Sequence, residues 1–121
     1  MQIEYRGELF TIGALIDPGC QWTLLTERII SRLQLPYSTF RFEIVSIRGQ
    51  NQSANIECEF VLYARRCNLR IPIKAIVFPK VTRHLLSCTF KIPNSSELEA
   101  LNLADPTFTK SSQIDLILGN D

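Results

Sequence analysis

Ala14-Leu15-Ile16-Asp17-Pro18-Gly19-Cys20 runs three apolar residues into an acid, and a Pro-Gly pair then turns the backbone. An unpaired carboxylate at the end of an apolar strand is costly to bury. A fold keeps one there when the acid is hydrogen-bonded or takes part in chemistry. Gly19, two residues after the acid, lets a backbone N–H approach the carboxylate closely, because no Cβ intervenes. The alternative is an ordinary strand-to-turn junction, where Asp and Gly are common residues.

Upstream, residues 2–16 alternate loosely through Ile3, Tyr5, Leu9, Phe10 and Ile12, with breaks at Gly7 and Gly13. They predict one or two strands ending at Leu15-Ile16. Downstream, Cys20-Gln21-Trp22-Thr23-Leu24-Leu25 reads as a second strand, so Asp17 falls at the tip of a loop. A short helix is expected near residues 26–34, with Thr26 as its cap, Glu27 at the positive end of its dipole and Ile29, Ile30 and Leu33 on one apolar face. Leu35-Pro36 ends it. Residues 40–48 alternate with period two, residues 49–53 are polar and turn-forming, and residues 56–63 form the return strand. The result is a long hairpin with a small tip. It can be read as a flap over a ligand or as a plain surface hairpin. Leu69–Phe78 is a further strand in which Pro72 points to an edge position or a bulge. Residues 79–113 are irregular, with Ser96–Leu101 as a helical turn. Ile114–Asp121 is an apolar strand closing at Gly119.

A chain of 121 residues supports one domain and one core. Thirteen basic residues against twelve acidic ones leave no electrostatic footprint for nucleic acid or an anionic membrane. No apolar run approaches the roughly 20 residues of a membrane span, and the start of the chain lacks the apolar core of a signal peptide. Cys20, Cys58, Cys67 and Cys88 contain no C-x-x-C pair, and His84 is the sole histidine, which argues against a structural zinc site. A disulfide framework is allowed by number, but nothing marks the chain as secreted. The favoured reading is reduced, mostly buried thiols in an intracellular protein. A nucleophilic pair of Cys20 with His84 stays open.

Taken together, these segments resemble a retropepsin-like aspartic peptidase, and more closely the peptidase domain of Pao/Bel-type LTR retrotransposon polyproteins. Three segments carry the resemblance. In Ala14–Gln21 the family has an apolar pair, Asp-Ser-Gly, then Ser-Gln. Ala75–Thr82 is similar to the family's strand before its long insert. Leu103-Ala104-Asp105-Pro106-Thr107-Phe108 followed by Ile114–Asp121 is the most specific match. The likeness spans roughly residues 9–121.

The resemblance implies a mainly β fold over residues 1–121, a small closed β-barrel with one short helix and a flap hairpin. It implies an aspartic endopeptidase that processes polyproteins, with no metal and no cofactor, in the cytoplasm or within virus-like particles. Its partners are a second copy of itself and a polypeptide substrate, with neither nucleic acid nor membrane. Asp17 is the implied catalytic acid, one from each subunit of a two-fold dimer, because it is the one Asp followed two residues later by Gly. Pro18, Gly19 and Cys20 form the active-site loop. Ile47, Arg48, Gly49 and Gln50 are the flap, and Ile117, Leu118 and Gly119 support the loop. The family continues past the position of Asp121 with a helix and a final interface strand.

One departure stands out. The family has Ser or Thr at the position of Pro18, and that hydroxyl bonds across the dimer interface. Proline has neither hydroxyl nor N–H, so a looser acid loop and a weaker dimer are expected. The alternative function is an inactive, retroelement-derived binding or dimerisation module.

Overall fold

The computed structural model describes residues 1–45, 51–64, 66–81, 97, 100, 101, 103, 105–107 and 109–120. Eight strands and one helix follow in order: β1 (Gln2–Tyr5), β2 (Glu8–Thr11), β3 (Ala14–Ile16), β4 (Leu24–Thr26), α1 (Glu27–Leu33), β5 (Tyr37–Val45), β6 (Asn51–Tyr63), β7 (Arg70–Phe78) and β8 (Leu116–Leu118). The strands form one curled sheet in the order β2-β1-β6-β7-β4-β8-β3, with β5 also paired to β6. The domain is therefore mainly β and barrel-like with one short helix. Among the described residues the curl is half a barrel, with β2, β3 and β5 each paired on one side only, rather than the closed barrel expected.

Local sequence accounts for most elements. β1 and β2 join through Arg6 and Gly7, both in the left-handed region (φ 51° and 80°), the conformation a tight two-residue hairpin requires. Helix α1 places Ile29 and Leu33 in the core with Ile30 packed against it. It ends at Gln34, whose φ of 53° is a left-handed cap. Thr26 occupies the N-cap position but makes no side-chain cap bond. Its hydroxyl donates instead to Asp115 Oδ1 at 3.0 Å, a charge-assisted bond that sets the side chain's orientation.

The long hairpin is present, with β5 and β6 antiparallel from Tyr37↔Cys58 to Val45↔Asn51 and an irregularity between Thr39 and Phe42. Cys58, Phe60 and Leu62 alternate into the core, and Ala75 and Val77 of β7 meet them there. Pro72 lies opposite Val61 of β6. The pairing of β7 with β4 covers only Ile76–Phe78, so β7 is locally an edge at Pro72, where a missing N–H is tolerated. Ile76 and Phe78 point to the other face, packed with Leu24, Phe40 and Val81.

The expected strand over residues 20–25 begins only at Leu24. Residues 20–23 stay irregular: the Cys20 carbonyl accepts from the Asn120 amide and the Thr23 carbonyl from the Ile76 amide, while the Thr23 hydroxyl accepts from the Gly119 amide.

Candidate functional site around the Asp17 loop

β3 ends at Ile16, and Asp17 opens a tight turn. The Cys20 amide donates to the Asp17 carbonyl at 3.0 Å, closing a four-residue turn with Pro18 at its second position. Proline's fixed φ suits that position. Gly19 is outside the left-handed region, as in a type I turn. The Gly19 amide donates to Asp17 Oδ1 at 3.0 Å. A Cβ on Gly19 would stand 3.2 Å from that same oxygen, a tight contact to which the Asp17 carboxylate would have to yield slightly. Oδ2 has no partner among the described residues. Asp17 is half-buried, while Ile16 beside it is 68% exposed.

The two arms of this loop do not pair with each other. β8 lies between them, parallel to β3 through Ala14↔Leu116, Leu15↔Ile117 and Ile16↔Leu118, and antiparallel to β4 through Leu24↔Ile117 and Leu25↔Leu116. From the last residue of β8 onwards, the chain grips both arms. The Asp17 amide donates to the Leu118 carbonyl at 3.0 Å, and the Asn120 amide donates to the Cys20 carbonyl at 2.9 Å. The Gly119 amide donates to Thr23 Oγ1 at 3.2 Å. A Cβ on Gly119 would fall 2.8 Å from the Cys20 carbonyl oxygen and closer still to the Trp22 carbonyl. Glycine is required there by backbone approach.

The structure thus brings together Asp17, Pro18, Gly19 and Cys20 with Ile117, Leu118 and Gly119. Ile47, Arg48, Gly49 and Gln50 lie outside the described residues, as does His84; the strands that lead to the hairpin tip are paired up to Val45 and Asn51. The Cys20 thiol donates to the Trp22 carbonyl at 3.0 Å, a contact within the loop.

Sequence reasoning missed a buried carboxylate at the root of β8. Asp115 is 3% exposed. Its side chain accepts from Thr26 Oγ1, from Arg28 Nε at 3.1 Å and from Arg28 Nη2. Its carbonyl accepts from the Thr26 amide at 2.9 Å, and its own amide donates to the Gly13 carbonyl at 2.9 Å. The only available signal was an acid set inside the apolar run Ile114–Leu118. Nothing local names Arg28 as its partner.

Among the described residues no helix is long and apolar enough to cross a membrane. No family model, curated protein or solved structure matches the chain significantly.

Proposed function

We propose that this chain is an aspartic endopeptidase of retropepsin type that works as a two-fold dimer, each copy contributing Asp17. The observation that carries the reading is the construction of the Asp17 loop. A single Asp-x-Gly acid sits at a strand end, one oxygen held by the Gly19 amide, and both arms of the loop are braced by a third strand. A loop held at both arms that presents a half-exposed carboxylate suits an acid that must meet a second one. The exposed Ile16 beside it suits contact with a partner copy.

In such a dimer the two carboxylates share a proton, because both cannot ionise at close range. The ionised member takes a proton from a water as that water attacks the peptide carbonyl. The protonated member donates to the carbonyl oxygen.

Pro18 favours a second reading, in which the fold is kept as a binding or dimerisation module. Without the hydroxyl of Ser or Thr, the loop has no side-chain donor at that position to offer a partner loop.

The deciding experiment is cleavage of peptides with apolar residues around the scissile bond at mildly acidic pH. Wild type is expected to cleave, and Asp17→Asn to be inert while folded, since an amide can neither take up nor share the proton. If wild type and Pro18→Ser are both inert with fold and dimer intact, the module reading replaces the enzyme. Cleavage that survives Asp17→Asn places the acid elsewhere.

A further inference from the structure

We infer that Arg28 and Asp115 are positioning residues for the Asp17 loop, acting through β8; their relevance to catalysis rests on the reading above. β8 is three residues long, so few ladder bonds to β3 and β4 fix its register. Its upstream end is clamped by Asp115, which receives both Nε and Nη2 of the Arg28 guanidinium and the Thr26 hydroxyl. Its downstream end supplies the Leu118 carbonyl to the Asp17 amide, and the following Asn120 amide reaches Cys20. A strand advances about 3.3 Å per residue, so clamp and loop are roughly 10 Å apart along a stiff segment.

The chemistry of the clamp argues for register rather than bulk stability. A buried ion pair seldom stabilises more than an apolar replacement of similar volume. A planar guanidinium engaging both oxygens of a carboxylate does fix position and orientation. Among the described residues the other ion pairs, Arg70 with Glu4 and Lys74 with Glu57, join more exposed side chains on different strands. The clamp also ties the loop to the first turn of α1, where Arg28 resides.

The test is amide hydrogen exchange, read by NMR on the folded chain, for wild type, Arg28→Gln, Arg28→Lys and Asp115→Asn, with Glu57→Gln as control. Arg28 is half-exposed at its side chain, so Arg28→Gln is expected to fold. Its Asp17, Cys20 and Asn120 amides should exchange about tenfold faster, while Leu62 and Val77 in the sheet stay protected. Arg28→Lys should recover part of that protection. Glu57→Gln should change none of these amides. In the cleavage assay Arg28→Gln should lower kcat with little change in KM, because acid geometry rather than substrate contact is disturbed. Loop amides as protected as in wild type in both Arg28→Gln and Asp115→Asn would overturn the inference. So would a uniform loss across loop and sheet together. If the loop amides open selectively but neither wild type nor Pro18→Ser cleaves a peptide with fold and dimer intact, the positioning role stands and the peptidase reading fails.

Discussion

The Gly119 amide donates to the hydroxyl of Thr23 at 3.2 Å, joining the residue after β8 to the residue before β4. That bond sits where the backbone at Gly119 passes against the carbonyls of Cys20 and Trp22, so the acid loop and the C-terminal segment share one tightly packed junction.

Gly119→Ala is therefore expected to destabilise by about 1–3 kcal/mol, the usual cost of overpacking a filled site. Gly7→Ala should cost about 1 kcal/mol, because its Cβ meets nothing within 4 Å and only the φ of +80° is unfavourable. Urea unfolding midpoints for the two variants check the ranking. Equal costs would show that the junction yields.

Pro18→Ser should trade stability for function. Proline at the second position of the Asp17–Cys20 turn restricts the unfolded chain, so replacing it should cost about 0.4–1 kcal/mol in thermal or urea unfolding. The same change returns a hydroxyl and an N–H to the loop. Each restored hydrogen bond contributes roughly 0.5–1.5 kcal/mol, so dimer affinity or cleavage rate should rise by about tenfold. Sedimentation and the peptide assay measure the gain. A more stable Pro18→Ser chain with unchanged association would refute the trade.

Asp115→Ala should cost about 3 kcal/mol, since it removes a buried carboxylate and orphans both Thr26 and Arg28. Glu57→Ala removes the partner of exposed Lys74 at 3.0 Å and should leave the unfolding midpoint nearly unchanged, because solvent screens an exposed pair. In the native chain Glu57 raises the Lys74 pKa by hydrogen bonding and by charge. Chemical denaturation of both variants, in low and in high salt, separates the two cases.

Cys58 carries a pH prediction. Burial, and then the charge of Glu59, push its thiol up to about 11 from 9.0. The folded chain therefore holds this proton more tightly than the unfolded chain. The corresponding stability is fully present below pH 9 and is lost as pH rises from about 9 towards 11. Cys58→Ala should flatten that part of the stability profile. At pH 8, an alkylating probe should label exposed Cys67 rapidly and reach Cys58 only on unfolding. Rapid labelling of Cys58 in the native chain would contradict its burial.

Several features were legible in the chain alone because they depend on neighbours in sequence. The alternation of Cys58, Phe60 and Leu62 marks one face of a strand, and the spacing of Ile29 and Leu33 marks one face of a helix. Pro18-Gly19 after Asp17 dictates a turn at a strand end, and Pro72 requires a strand position free of a ladder donor. Other features depend on which distant segments meet, and local pattern carries no record of that. Only the tertiary structure places β8 between β3 and β4, and so makes Gly119 a packing necessity against Trp22. Thr26 stands at the cap position, but folding brings Asp115 within reach, and the hydroxyl donates to that carboxylate in an orientation that makes no cap bond. Residues 20–23 looked like the start of a strand, yet the Cys20 carbonyl and the Thr23 hydroxyl bond the amides of Asn120 and Gly119. An acid inside an apolar run must find a donor when it is buried. The sequence sets that requirement, and the packing of α1 against the sheet supplies Arg28 to meet it.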